Sequence, residues 1–523
     1  MIIKTIVRKN EYYNSVFLMR ISEKTGTIRG VKQGVVLMAT ELNKEMLAFM
    51  GLITEGVRGA DASDFVIALQ TETNDDMQNA INEIEKMLRI KQVEASSEYF
   101  PKTFNSALEI MPDANLAVIS VPGEFAKREA LKVLESGLHV MVFSSNMSTT
   151  DEKDLKQFAR SKGLLMMGPD CGTAIINGAV LGFGNVIRKG TIGIIAASGT
   201  GIQQVSAIIH RLDSGISQAL GTGGRDLFAE IGGIATLECL KFLEQDEDTG
   251  IILLISKPPS PQVSENVLAA ARKCRKPVIV CFLGMATSVI EAAGLISAVT
   301  LEDAAKKAVV LAKGVTSEKV IFTPPEQDIL SVVGREYEKL ASEQQYIRGL
   351  FSGGTLCYES ILMLKELVGD VYSNAPIKHD LKLSDPHWSR FHSCVDMGSE
   401  DFVVGRPHPM IDPTMRKQRF IREAGDSETG VILMDIVLGY GSHPDPAGVM
   451  VPVIAEARKE AERRGRYLPV VASVIGTELD TQNLNEQEKK LKEVGVIVLP
   501  SNAQATRMAA LIVTRGKLQE KLF

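Results

Sequence analysis

The sequence predicts an α/β protein made of several Rossmann- or flavodoxin-like domains with parallel sheets. Three observations carry this reading. Short apolar runs recur along the chain, each followed by a polar stretch of helical length. The runs are continuously apolar rather than alternating, as strands covered on both faces are. Gly-rich loops stand where an apolar run gives way to a helix. At 523 residues the chain is too long for one core, so several domains are expected.

The elements follow in order. An N-terminal α/β unit, residues 1–100, holds the run FVIALQ (65–70) and an acidic helix over about 74–92. A Rossmann-type unit, 101–188, holds NLAVISV (115–121), a helix over about 124–136, HVMVFS (139–144), a helix after MSTTDE, and LLMMG (164–168) running into PDCGT. A flavodoxin-like unit, 189–315, holds IGIIAA, GIILLIS (250–256), PVIVCFLG (277–284) and SAVT (297–300). Residues 316–345, with FTPPEQD, read as a linker plus a helix. A second flavodoxin-like unit, 346–523, starts at IRGLFSGGT and continues through GVILMDIVLGYG (430–441), LPVVASVIGT (468–477) and GVIVLPS (495–501). The Glu/Lys-rich stretches at 74–96 and 455–466 read as solvated helix faces.

Bulk properties narrow the function. The net charge is −6, there is no basic block and there is one Trp, so nucleic acid is not an expected partner. Cys171, Cys239, Cys274, Cys281, Cys357 and Cys394 are scattered with no CxxC pair, which suggests neither a zinc site nor a disulfide framework. No metal site is expected, and the thiols read as reduced. The N-terminus lacks an apolar signal region, and no apolar run approaches the roughly 18 residues of a membrane span. A cytoplasmic location without membrane attachment is expected.

The Gly-rich loops carry the chemistry. In AASGTGIQQ the apolar strand stops at Ala197, Ser198-Gly199-Thr200-Gly201 turn, and a helix begins near Ile202. Unpaired N–H groups and the positive dipole end of that helix attract phosphate or carboxylate. GLFSGGTLCYES repeats the arrangement with Ser352-Gly353-Gly354-Thr355. The plainer alternative is that each Ser/Thr-Gly turn only caps its helix. The repetition favours a site in which two loops from separate domains face one another. Neither loop is a Walker A or GxGxxG motif, so neither ATP nor NAD is indicated.

Four further groups accompany the loops. In ALGTGGRDLF, Gly223, Gly224, Arg225 and Asp226 follow a short apolar segment, and Arg225 suits a carboxylate or phosphate clamp; the alternative is a solvated Arg-Asp turn. Lys257 ends a buried run in ISKPPS, as a phosphate-binding charge or as part of a surface turn. In DFVVGRPHPMIDP, Arg406, His408 and Asp412 alternate with prolines. Arg406 suits an anion grip and His408 an acid, base or hydrogen-bond donor, against a structural Pro-rich connection. Asp435 interrupts an apolar strand and reads as a site residue or a capping carboxylate.

MMGPDCGT, then IGIIAASGTGIQQ, then GTGGRD resemble the α subunit of succinyl-CoA synthetase. LFSGGT through MDIVLGYG is similar to the carboxyl-terminal domain of that enzyme's β subunit. With SKPP and VGRPHPMIDP, the chain as a whole resembles the FdrA family of acyl-CoA-synthetase-like proteins. The resemblance implies a succinyl-CoA synthetase-like fold, with 101–188 as a CoA-binding-like domain and 189–315 and 346–523 as ligase domains. Two departures stand out. The family's phosphohistidine lies in a G-H-A-G loop, yet VIVCFLGMATSVIEAAGLISAVT holds no His; the E-I-G-G position of the orienting Glu reads ISKPPS. The ATP-grasp domain is absent, and residues 1–100 show no clear Gly-rich nucleotide loop.

The FdrA resemblance implies one component of a multi-subunit carbamoyltransferase in allantoin breakdown, acting on oxalurate or oxamate, phosphate and carbamoyl phosphate. On that reading Ser198–Gly201 and Ser352–Thr355 bind phosphate and the substrate carboxylate. Gly223, Gly224, Arg225, Asp226, Asp412 and Asp435 line the substrate. Arg225, Lys257 or Arg406 neutralises charge, and His408 polarises the carbamoyl oxygen or moves a proton. The alternatives are a CoA ligase or acyl transferase, with CoA as cofactor, and a non-catalytic scaffold. Partner subunits and an oligomer are expected.

Overall fold

The computed structural model describes residues 2–11, 13, 15–26, 28–94, 101, 103–315, 321–403 and 407–523. The chain divides into two compact units, one of residues 1–113 with 403–408, the other of 114–402 with 409–523.

In the first unit, β1 (Ile2–Arg8), β2 (Val31–Met38) and β3 (Phe65–Thr71) form a sheet in the order β1-β3-β2. Both pairings are antiparallel, against the expectation of parallel strands. The reason is visible in the packing. Ile67 and Leu69 of β3 pack with Leu18 and Ile84 on one face. Val66 and Ala68 pack with Leu47 and Val57 on the other. A central strand covered on both faces reads as continuously apolar whatever its direction. The acidic helix is Asn74–Glu94.

The second unit contains three sheets. β4 (Leu116–Ile119), β5 (His139–Val142) and β6 (Met166–Met167) pair in parallel. The next sheet comprises β7 (Thr173–Ile176), β8 (Ala179–Gly182), β9 (Lys189–Ala196), β10 (Ile216–Gly221), β11 (Ile251–Ser256), β12 (Val278–Phe282) and β13 (Ile296–Ser297). Its order is β13-β12-β11-β9-β10-β7-β8. β9 to β13 are parallel, whereas the β7–β8 hairpin joins β10 antiparallel. The sheet thus reaches back to residue 173, upstream of the expected boundary at 188.

The last sheet comprises β14 (Tyr346–Phe351), β15 (Ser393–Asp396), β16 (Thr429–Val437), β17 (Val470–Ile475) and β18 (Ile497–Leu499), all parallel, in the order β15-β14-β16-β17-β18. Numbered from the first strand of each, β9–β13 and β14–β18 share the order 2-1-3-4-5, the flavodoxin-like doubly wound arrangement. In such sheets the connection reverses beside the first strand, and loops at that reversal open a crevice at the carboxyl ends. Here those loops follow β9 and β11 in one sheet and β14 and β16 in the other.

One core joins the two flavodoxin-like sheets. Ile194, Ile202 and Ile255 belong to the same buried cluster as Ile347, Leu356 and Leu433. The Gly199–Arg211 helix is wedged at this junction and is buried from Gly201 to His210. Its polar side chains reach across to the other half: Gln203 Nε2 donates to Leu438 O, and His210 Nε2 meets Glu478 Oε1 at 2.9 Å. Packing of this kind fixes where the first turn of the helix points.

Candidate functional site

Ser198 caps the Gly199–Arg211 helix, its Oγ accepting from Gly201 N at 2.8 Å. The same hydroxyl donates to Thr355 Oγ1 at 2.6 Å. Thr355 lies in the first turn of the Gly354–Val368 helix, so the two Gly-rich turns meet head to head. Close approach needs glycine here: a Cβ on Gly353 would stand 2.9 Å from Thr200 Cγ2. Among the described residues no acceptor meets the N–H of Gly199 or Thr200. Two positive helix ends therefore converge on one point with donors to spare.

Lys257 directly follows β11, beside β9 at the reversal. It is exposed, and its ammonium lies over the Tyr358 ring at 5.3 Å from the centroid. Its charge also acts on Asp396, the last residue of β15. Asp396 Oδ2 stands 2.5 Å from where a Cβ on Gly354 would be. Burial raises the Asp396 carboxyl above its ordinary range, and Lys257 opposes the rise.

Asp170 lies in the GPDC turn, beside the Gly223-Gly224 loop. It has a left-handed backbone, φ 57°. Its Oδ2 lies 3.5 Å from the Cβ position of Gly224. Gly223 brings the two loops together: at φ 89° it sits where a Cβ would be 2.4 Å from Pro169 O. Asp170 is exposed as a residue, but its carboxyl end is crowded by protein. That crowding pushes its carboxyl up to about 6; Arg225 pulls it down, while Asp396, Glu152 and Glu400 push it further up.

Several expected substrate ligands have structural roles instead. Asp226 is buried and accepts from Lys156 Nζ at 2.8 Å, Ala235 N at 3.1 Å and Thr236 N at 2.9 Å. It caps the Ile234–Gln245 helix and balances a buried lysine, which leaves it no room for a ligand. Asp435 is the capping carboxylate of the two alternatives. It accepts from Ser352 N at 2.9 Å, Ser352 Oγ at 2.9 Å and Gly353 N at 2.8 Å, and Arg416 Nη2 holds it at 2.7 Å. The second loop thus carries its own anion at Ser352 and Gly353, leaving Gly354 and Thr355 to face the first loop. Asp412 accepts from Thr414 N at 2.9 Å and Thr414 Oγ1 at 2.6 Å, a local turn just before the Thr414–Gly425 helix.

Arg225 Nη2 donates to Met147 O at 2.7 Å and pairs with Glu152 Oε2 at 3.0 Å. Arg406 lies outside the described residues. His408 groups with the first unit, whereas both loops belong to the second. Asp170, Asp396 and Tyr358 are residues that sequence reasoning missed. Asp170 lies within the PDCGT loop, and the one available signal is a carboxylate at the end of a strand or turn.

The thiols are poor nucleophiles here. Burial pushes Cys171 and Cys394 up to about 12 and raises Cys357 as well. All six cysteines are free. Among the described residues no group of three His, Cys, Asp or Glu side chains is placed to hold a metal ion. No helix among them is long and apolar enough to cross a membrane.

Comparison with known proteins places this geometry in a family. A CoA-ligase family model matches residues 350–512, a CoA binding domain model matches 187–284, and a model described as AllF, heavy metal-associated domain, matches 1–102. The CoA binding match covers Ser198–Gly201, Arg225 and Lys257, and the CoA-ligase match covers Ser352–Thr355. The heavy-metal description does not fit the residues present: 1–138 contain neither Cys nor His, the ligands soft metals take. The malate–CoA ligase subunit alpha of Methylorubrum extorquens is 27% identical over 40% of this chain and 73% of its own. A dinucleotide forming acetyl-coenzyme A synthetase 1 from Ca. Korarchaeum cryptofilum superposes with a TM-score of 0.32 at 19% identity, covering 78% of this chain and 85% of that one. The Escherichia coli (strain K12) protein printed as "Uncharacterized protein YahF" is 46% identical over 99% of this chain and 100% of its own length. Identity of that extent, with CoA-ligase and CoA binding regions in the order the paired loops require, assigns the chain to the FdrA family of acyl-CoA-synthetase-like proteins.

Proposed function

We propose that the chain is a group-transfer subunit of the succinyl-CoA synthetase type that holds a phosphate or acyl phosphate between its two Gly-rich turns. The observation that carries this is the Ser198–Thr355 contact, which sets two helix N-termini on one point. Gly199 and Thr200 N–H groups bind the anion, and Lys257 neutralises it from the neighbouring strand end. Transfer of an acyl group from such a mixed anhydride needs positioning and charge stabilisation rather than a protein nucleophile. The missing His in residues 278–300 and the buried thiols fit that economy.

For CoA, the anion cradle at Gly199 and Thr200 and the exposed Lys257 suit a phosphate-bearing cofactor, and the CoA binding match covers them. CoA would supply a thiol to accept the acyl group. A second reading is carbamoyl transfer between oxalurate or oxamate and phosphate. It is favoured by the AllF-type N-terminal match and by Asp170 and Asp396, which offer acceptors for an –NH2 group that a simple acyl chain lacks. Partner subunits would supply what this chain lacks, and the six free thiols suit a reducing cytoplasm.

Calorimetry of the purified chain with phosphate, CoA and carbamoyl phosphate tests the reading. Phosphate with CoA is the expected pair for the first reading, and carbamoyl phosphate without CoA for the second. A chain that binds none of the three would sink both. Co-expression with neighbouring gene products, followed by phosphate-dependent assays on acyl-CoA and oxalurate, decides the transferred group.

A further inference from the structure

A cleft of about 420 Å³ opens at the far end of the last sheet from the paired turns. Tyr467 stands just before β17, and Gly495 and Val496 just before β18, so the cleft lies at amino ends of strands, whereas the turns follow carboxyl ends. Arg335, Lys339, Arg458 and Lys492 line it with one carboxylate, Glu336. Such a gathering of cations is out of character in a chain of net charge −6. Arg458 is half-buried and fixed: Nε donates to Leu468 O at 3.0 Å, Nη1 to Val494 O at 2.6 Å and Nη2 to Tyr467 Oη at 3.2 Å. Gly495 makes room for it, because a Cβ there would collide with Arg458 Nη1. The other two N–H groups of the guanidinium have no partner among the described residues. Tyr467 Oη donates to Glu336 Oε2 at 2.7 Å, and Arg335 Nε donates to Glu336 Oε1 at 3.3 Å. Arg458 Cζ and Lys339 Nζ lie 5.5 and 4.6 Å from the Tyr467 ring centroid, so two cations share one ring. Lys492 pairs with Glu488 at 2.7 Å, but no carboxylate meets Lys339 among the described residues.

We propose that this cleft binds a small phosphate monoester with a planar or apolar body. Charge selects the headgroup. The four cations meet two carboxylates, Glu336 and Glu488, which leaves two positive charges unbalanced. A phosphate monoester carries about −1.5 to −2 at neutral pH and matches that excess, where a single carboxylate would not. The planar fork of Arg458 suits two phosphate oxygens, and Lys339 adds a point charge beside it. Size and lining select the body. The volume of about 420 Å³ falls in the roughly 300–1,000 Å³ range of small-molecule sites. Val332, Val496 and Ile497 supply an apolar wall. The chain from Arg458 through Tyr467 and Glu336 to Arg335 is already hydrogen-bonded, so little ordering is left to oppose binding. An anion also relieves the mutual repulsion of the cations. The site is separate from the paired turns and does not depend on which group they transfer.

Calorimetry of the full chain with AMP and with ribose 5-phosphate tests this. Both probes carry the same monoester, and only AMP adds a planar base. AMP is expected to bind about 10-fold more tightly or better, because its base covers the apolar wall. Lys339 is exposed, so its variants should unfold near the wild-type midpoint. Lys339→Met should weaken AMP about 5-fold, and Lys339→Glu about 30-fold or more, since it sets a like charge beside the phosphate. Bound AMP should also slow acetylation of Lys339 and Lys492, read by mass spectrometry. Lys257→Ala, at the paired turns, should leave AMP affinity unchanged. The proposal is overturned if AMP does not bind, binds no more tightly than ribose 5-phosphate, or binds Lys339→Glu as well as wild type. Loss of AMP binding in Lys257→Ala with none in Lys339→Glu would seat AMP at the paired turns and overturn it too. Phosphate and CoA titrations read the turns separately, so the cleft can fail while the turns stand, and the reverse.

Discussion

Ser198 gives its hydroxyl hydrogen to Thr355 Oγ1 across 2.6 Å, joining residues 157 positions apart in the chain. The same oxygen accepts from Gly201 N. One side chain thus caps its own helix and ties it to the next domain's helix. Ser198→Ala is expected to cost about 1 kcal/mol for the lost cap. Thr355→Ala costs less, and the double variant shows a coupling of about 0.5–1.5 kcal/mol. Denaturant unfolding of the four proteins checks this. Additivity within error would show that the contact carries no energy.

The glycines that allow close approach make a sharper prediction. Gly223 combines φ 89° with a Cβ position 2.4 Å from Pro169 O. Gly223→Ala is expected to destabilise by about 1–3 kcal/mol and to displace the 168–170 turn. Because that turn runs on to Thr173, whose unpartnered Oγ1 lies 3.1 Å from the Cβ position of Gly199, anion binding should weaken together with stability. Gly137→Ala is the comparison: its φ is 81° but nothing lies within 4 Å, so only the backbone cost remains. Thermal unfolding and sulfate calorimetry on both variants separate the clash from the strain.

Much of this site is readable in the sequence, and the parts that are not share a cause. Ser198–Gly201 and Ser352–Thr355 announce themselves because each ends an apolar strand and opens a helix. Their meeting follows from two flavodoxin-like sheets sharing one core, which repeated strand–helix alternation predicts. Asp226 and Asp435 show up as charges in apolar surroundings, but whether such a charge is a ligand or a cap depends on its partners. Lys156 lies 70 positions from Asp226, and Ser352 lies 83 from Asp435. Asp170 and Asp396 are single carboxylates at turn and strand ends with no spacing to mark them. The antiparallel N-terminal sheet is not legible in the sequence because periodicity reports burial, not strand direction. The β7–β8 hairpin is too short to register as more than a loop.

Buried Lys156 gives a test of the structural role of Asp226. Its ammonium is held by Asp226 at 2.8 Å, Glu152 at 2.8 Å and Thr222 O at 3.0 Å. Asp226→Ala leaves that charge short of a partner and should cost about 3–5 kcal/mol. Burial alone would lower the lysine, but its two carboxylate partners hold it above its ordinary value. A raised cation stabilises the fold below its unfolded pKa, and that contribution fades as pH rises through the folded one. Wild-type stability should therefore fall on the alkaline side, and Lys156→Met should flatten that fall. If Asp226→Ala unfolds at the wild-type midpoint yet loses ligand binding, Asp226 belongs to the substrate after all.

The N-terminal unit is expected to be indifferent to heavy metals despite the family description that matches it. Soft ions such as Cu(I) and Zn²⁺ need thiolate or imidazole ligands, and residues 1–138 supply none. Its sheet is held instead by apolar packing on both faces, with Phe65, Ile67 and Leu69 fully covered. A chelator should leave the unfolding midpoint of the full chain unchanged, and added Zn²⁺ should not raise it, because a ligand stabilises only what it binds. Replacing the other candidate donors, Met38 and Met77, by Leu should alter neither result, since both are packed in that core. A stoichiometric Zn²⁺ or Cu(I) complex that vanishes in the double Met→Leu variant would overturn the assignment and restore a metal role to this domain.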